Sequence, residues 1–115
     1  MPTFFGAATM GLQDSITGTT TDSYVDALAW NCSGFGNKTI ILKNTHGANS
    51  LLYKVLVQAY PGGQDAEEIT ETTLPAGDMA RIALNNAYAR ITLSLKSATA
   101  GSPATYQLDH IGLPL

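Results

Sequence analysis

From Ala89 to Gly112 the chain reads ARITLSLKSATAGSPATYQLDHIG. Ala89, Ile91, Leu93 and Leu95 fall on one face of an extended chain. Arg90, Thr92, Ser94 and Lys96 fall on the other. A two-residue period is that of the β-pleat, so this stretch predicts a strand, the SATAGSP loop, and a second strand with Tyr106 and Leu108 turned to the core. Thr105, Gln107 and Asp109 then lie outside. Alternation of this kind implies one face on the core and the other on water or a polar partner.

Similar runs recur upstream. SYVDALAW (residues 23–30) alternates, although its Ala and Leu also suit a helix. NCSGFGN reads as a loop. KTIILK is a short β-branched run, and NTHGANS is dense in turn formers. LLYKVLVQAY puts Leu51, Tyr53, Val55, Val57 and Ala59 on one face and ends at PGGQD, where Pro61 cannot donate a ladder hydrogen bond. EEITETTL is polar and Thr-rich, as suits an edge strand guarded by charge. PAGD is a tight turn, MARIAL a strand and NNA a turn. These runs predict seven or eight short strands and one all-β domain over residues 21–115, a single antiparallel β-sandwich of jelly-roll or immunoglobulin-like type. Val55, Val57, Ile82, Ile91, Leu93 and Leu108 are its expected core. Residues 1–20 show no alternation of their own and are expected to form an extended N-terminal arm, punctuated by Gly6, Gly11 and Gly18.

Composition sharpens this reading at two points. Only 13% of the 115 residues are charged, about half the usual share of a soluble domain, roughly 25%. Either the surface is rich in Thr, Ser, Asn and Gln, or a partner covers part of it. The net charge of −3 and the scattered lysines and arginines offer no basic patch for nucleic acid. The first twelve residues lack the basic start and the apolar run of an export signal. No stretch approaches the roughly 18 apolar residues of a membrane helix. The protein is therefore expected to work without Sec export, nucleic acid or membrane.

Candidate chemistry is sparse. His46 stands in a turn and His110 near the end of the last strand, neither within a catalytic motif, and both are expected to be structural or solvated. Cys32 is the single cysteine; beside Trp30 it reads as a small semi-buried filler. Asp65, Glu67, Glu68 and Glu71 form one acidic run without the spacing of a calcium loop. Gly34 to Thr39 (GFGNKT) lacks the Gly-Lys-Thr order of a phosphate loop. No metal or cofactor site is expected, and no enzyme. Tyr24, Trp30, Tyr53, Tyr60, Tyr88 and Tyr106 supply rings that would suit sugar stacking, but aromatics in a sandwich more often fill the core.

Two segments, NKTIILKNTHGANSLLYKVLVQA and LPAGDMARIALNNAYARITLSLKSATAGSPATYQLDHI, together resemble the small β-sandwich structural proteins of tailed-bacteriophage virions, in particular capsid decoration (cement) proteins. The resemblance covers residues 37 to 111 and carries no functional residue over. It implies a non-enzymatic protein on the capsid exterior, assembled in the host cytoplasm and oligomeric, that bridges and stabilises major capsid subunits. A head–tail or tail accessory role in the virion is the near alternative, and a carbohydrate-binding sandwich module the more distant one. The expected contact residues are the apolar side chains of the arm, Phe4, Phe5, Met10 and Leu12, with Leu113 and Leu115 of the tail as a second set. Aromatics in an otherwise loose segment call for a surface to bury them.

Overall fold

A computed structural model describes residues 12–114. They form eight strands and, among the described residues, no helix: β1 (Leu12–Thr19), β2 (Val25–Asn31), β3 (Phe35–Asn44), β4 (Leu51–Gln58), β5 (Ala66–Leu74), β6 (Met79–Ala83), β7 (Arg90–Ser97) and β8 (Thr105–Pro114). They divide into two four-stranded sheets, sheet A in the order β1-β8-β3-β6 and sheet B in the order β2-β7-β4-β5. Every pairing is antiparallel. The ladders are nested. The chain pairs β4 with β5, then β3 with β6, β2 with β7 and β1 with β8, as one long hairpin would. Rolling that hairpin up adds the β3–β8 and β4–β7 ladders. This is the eight-stranded jelly roll, one of the two sandwich types expected.

The apolar alternation sets the layers. Leu28, Trp30, Ile40, Leu42, Leu51, Val55, Val57, Leu74, Ile82, Ile91, Leu93, Leu95 and Leu108 are buried between the sheets, and all six expected core residues are among them. EEITETTL is β5, the edge of sheet B, with Glu67, Glu68 and Glu71 exposed. Tight turns fall where glycine permits positive φ. In the turn 60–63, Gly62 takes φ 80° and the Gly63 N–H donates to Tyr60 O at 2.9 Å. The PAGD turn repeats the device with Gly77 at φ 79°, as position i+2 of a type II turn demands.

Phe35 to Asn37, expected within a loop, open β3, and the structure departs further from the sequence reading at two places. Residues 12–19 belong to the sandwich as edge strand β1, in register with β8 from Leu12↔Gly112 to Thr19↔Thr105. The sequence LQDSITGT shows little alternation because its exposed positions and its gap at Gly18 answer to its neighbour. A Cβ at Gly18 would run into the Tyr106 ring. Secondly, the polar face of β7 is not wet. Thr92 and Ser94 are buried, because β7 lies between β2 and β4 and their longer side chains close over its short hydroxyls. Ser94 Oγ donates to Asp26 Oδ1 at 2.6 Å on that covered face.

Candidate functional surfaces

The outer face of sheet A is built by residues that alternate with the core positions of β8 and β3. Along β8 the residues Leu108, His110 and Gly112 are buried, while Gln107, Asp109, Ile111 and Leu113 turn outward. Cross-strand register extends that face into rows. Ile41 stands between Asp109 and Arg81, Thr39 between Ile111 and Ala83, and Lys43 between Gln107 and Met79. Ile111 is 38% exposed, Leu113 44% and Met79 55%. Ser15, Thr39, Ile41, Asp109 and Ile111 line a shallow groove of about 400 Å³ across β1, β8 and β3. Its polar rim is tied together: Ser15 Oγ donates to Asp109 Oδ1 at 2.6 Å, and Gln107 Nε2 to the same oxygen at 3.3 Å. Hydrogen bonds from Ser15 and Gln107 hold the Asp109 carboxyl below the usual carboxylate range.

Of the expected contact residues, Phe4, Phe5, Met10 and Leu115 lie outside the described residues. Leu12 opens β1 opposite Gly112, and Leu113 is exposed on the face just described. The strand into which the N-terminal segment runs is thus the edge of the sheet that carries Ile111 and Leu113.

The candidate catalytic side chains are kept apart. His110 follows Asp109 but points to the other side of β8, its ring 5.0 Å from that of Trp30 in the core. Burial pushes its pKa down, against the pull of Asp14 and Asp109. His110 borders the groove with Asp14 and Ser15, but the Ser15 hydroxyl donates to Asp109 and, among the described residues, not to the imidazole. His46 serves its own turn: its Nδ1 accepts from the Ala48 and Asn49 N–H groups at 3.0 and 2.8 Å. Cys32 is fully buried, its Sγ donates to Tyr88 O at 3.3 Å, and burial raises the thiol pKa. Among the described residues, no three His, Cys, Asp or Glu side chains converge to hold a metal.

Lys38, within the GFGNKT stretch, is the residue whose place the sequence conceals. It is fully buried, and its Nζ donates to the carbonyls of Phe35, Gly36 and Asn86 at 3.1, 2.8 and 2.9 Å. The amine closes one end of the sandwich and is not presented to a phosphate. The rings are mostly spent as well. Trp30 and Tyr53 are core, and Tyr24 donates to Glu71 Oε1 at 2.6 Å beneath Lys54, whose Nζ lies 4.3 Å from the ring. Tyr60 alone among the described aromatics is largely exposed.

Comparison of the sequence with protein-family models and with curated proteins finds no match. Solved structures do match over most of the chain. PirA superposes with a TM-score of 0.62 at 12% identity, over 82% of this chain and 90% of its own. The Yersinia pseudotuberculosis-derived mitogen gives 0.60 at 15% identity, over 90% and 87%. A chain from Bacillus endospore appendages, described as disulfide-linked pili, gives 0.54 at 16% identity, over 98% and 97%. At these identities the likeness shows a shared sandwich fold, one that serves a mitogen and a pilus alike.

Proposed function

We propose that this chain is a non-enzymatic structural protein of a virion, of the capsid decoration type, that binds the outer capsid surface and bridges major capsid subunits. The observation that carries the reading is the coincidence on sheet A of three features: Ile111 and Leu113 exposed together on β8, an edge strand β1 with no partner on one side among the described residues, and the entry of the apolar N-terminal segment into that strand. Apolar side chains grouped on one sheet face mark an interaction surface, and a free edge offers main-chain pairing to an extended partner segment. The jelly roll and its likeness to a pilus chain agree with a part made to be repeated in an assembly. The sparse surface charge agrees with a face that ends up covered.

Energetics favour many copies. Each large apolar side chain fully buried gives roughly 1.5–3 kcal/mol, against about 1–2 kcal/mol for each backbone residue ordered. One arm binds weakly, and copies linked in an oligomer bind by avidity. The test is binding of the purified protein to purified capsids, beside the double variant Ile111→Asp, Leu113→Asp. The variant is expected to keep its fold and lose occupancy. A folded variant that decorates at full occupancy would remove sheet A from the attachment surface.

A further inference from the structure

The opposite layer carries a second concavity, which the capsid reading leaves unused. Across β2, β7 and β4 the register sets Asn31, Arg90 and Gln58 side by side, with Ala29, Thr92 and Leu56 in the next row on the outer face of sheet B. The turn 60–63 closes one end with Pro61 and Gly62. The resulting groove holds about 400 Å³, and its working groups are Asp26, Asn31, Leu56, Gln58, Asp65 and Arg90. That volume falls in the range of small-molecule sites, roughly 300–1,000 Å³.

Its polar groups are held in place by one another. Arg90 donates to Asn31 Oδ1 at 3.2 Å, Gln58 Nε2 to Asp65 Oδ1 at 2.9 Å, and Ser94 Oγ to Asp26 Oδ1 at 2.6 Å. Much capacity is left over. The guanidinium has five N–H donors, and each carboxylate has a second oxygen. Gln58 Oε1 also lacks a partner among the described residues, but it is buried and out of a ligand's reach. Leu56 adds an apolar patch between them. Preset donors and acceptors alternating around a small apolar floor match a pyranose ring, whose hydroxyls donate and accept and whose C–H face is apolar. Two carboxylates against one guanidinium leave a local charge of −1 (Asp26 and Asp65 against Arg90), which repels sulfated or phosphorylated sugars. A flat crystalline polysaccharide would call for a row of exposed rings, and here Trp30 and Tyr53 are core, Tyr24, Tyr88 and Tyr106 are half-buried, and Tyr60, on the same turn as Pro61, is the largely exposed one among the described rings.

We propose that the outer face of sheet B is a binding groove for a neutral saccharide, one or two rings at a time. Binding at a single groove is weak, in the millimolar range, and becomes useful when many copies face a glycan-bearing surface. The proposal is independent of which partner sheet A meets.

The experiment is an NMR titration of the ¹⁵N-labelled full chain with cellotriose, maltotriose and mannotriose, and with a sulfated chondroitin disaccharide as the anionic control. At least one neutral trisaccharide is expected to shift the Asn31 and Gln58 side-chain amides and the backbone of Gly62 and Thr92, with the sulfated control inert. Arg90→Ala is expected to weaken binding about tenfold, the value of one charge-assisted hydrogen bond. Asp65→Ala, an exposed turn position, gives the same reading if Arg90→Ala fails to fold. Unshifted groove signals with all three neutral sugars, shifts confined to sheet A, or undiminished binding by the folded variants would each overturn the proposal.

Discussion

Two buried polar residues show how single positions set the behaviour of this sandwich. Lys38 occupies an inward position of β3 in line with Ile40 and Leu42, yet its Nζ meets three carbonyls. The three N–H donors are thereby satisfied, and so are three carbonyls at the end of the core. Lys38→Met keeps most of the stem and strips those carbonyls of their partner. It is expected to cost about 1–3 kcal/mol in urea unfolding. His110 acts through pH. Its folded pKa lies below the ordinary 6.5 because burial disfavours the imidazolium. The folded state thus binds its proton less readily than the unfolded state, so this contribution is complete above about pH 6.5 and is lost as pH falls below it. Asp109, also lowered, acts in the same direction but only below its ordinary 3.8. The melting temperature is expected to drop between about pH 7 and 5, and His110→Leu to flatten that limb. An unchanged slope in the variant would assign the acid sensitivity elsewhere.

At the scale of elements, β8 is the strand on which sheet A depends, since it pairs with both β1 and β3. It passes beneath Trp30 at Gly112, where a Cβ would lie 2.7 Å from Trp30 Cζ2 and 2.9 Å from Phe35 Cγ. Both rings are large, and Trp30 is itself braced by Phe35 and His110 at centroid distances of 5.8 and 5.0 Å. Gly112→Ala is therefore expected to destabilise by about 1–3 kcal/mol through overpacking, measured as a shift in the denaturant midpoint. A neutral outcome would mean that the rings move aside freely. In sheet B, β7 shows the complementary case: short hydroxyls on its outer face let β2 and β4 close in on it, which makes the floor of the groove on that sheet.

Nested ladders govern the molecule as a whole. The outermost pair, β1 with β8, joins residues as far apart as Leu12 and Gly112. Loop closure of that length comes late and makes folding slow compared with local topologies. The eight strands of the described residues build their core among themselves, so removal of residues 1–11 is expected to leave the circular dichroism and melting temperature nearly unchanged and, on the proposed function, to abolish capsid binding. Removal of residues 1–19 also takes away β1, bares the edge of β8 and uncovers the core beside Ile16; that variant is expected to aggregate or stay unfolded. Full decoration by the shorter truncation would show that the arm is not the attachment device, and its failure to fold would make the arm part of this protein's own core.

Alternation is a local property, because the pleat sends neighbouring side chains to opposite faces whatever the strand pairs with. The sequence alone therefore determined that the domain is an all-β sandwich, where β4 to β8 and the Lys38–Lys43 part of β3 run, and that Val55, Ile82, Leu93 and Leu108 are core. It also marked the turns at Gly62 and Gly77, whose conformations only glycine takes readily. What it could not carry is which strands lie side by side, since that depends on chain segments far apart in sequence. Only the tertiary structure decided that LQDSITGT is a strand, because β8 supplies its partner and Tyr106 fills the space over Gly18. It likewise decided that Lys38 is buried, because Asn86 O comes from the distant β6–β7 connection to join the nearby carbonyls of Phe35 and Gly36. The groove on sheet B belongs to the same class: Asn31, Arg90 and Gln58 meet only when β7 lies between β2 and β4.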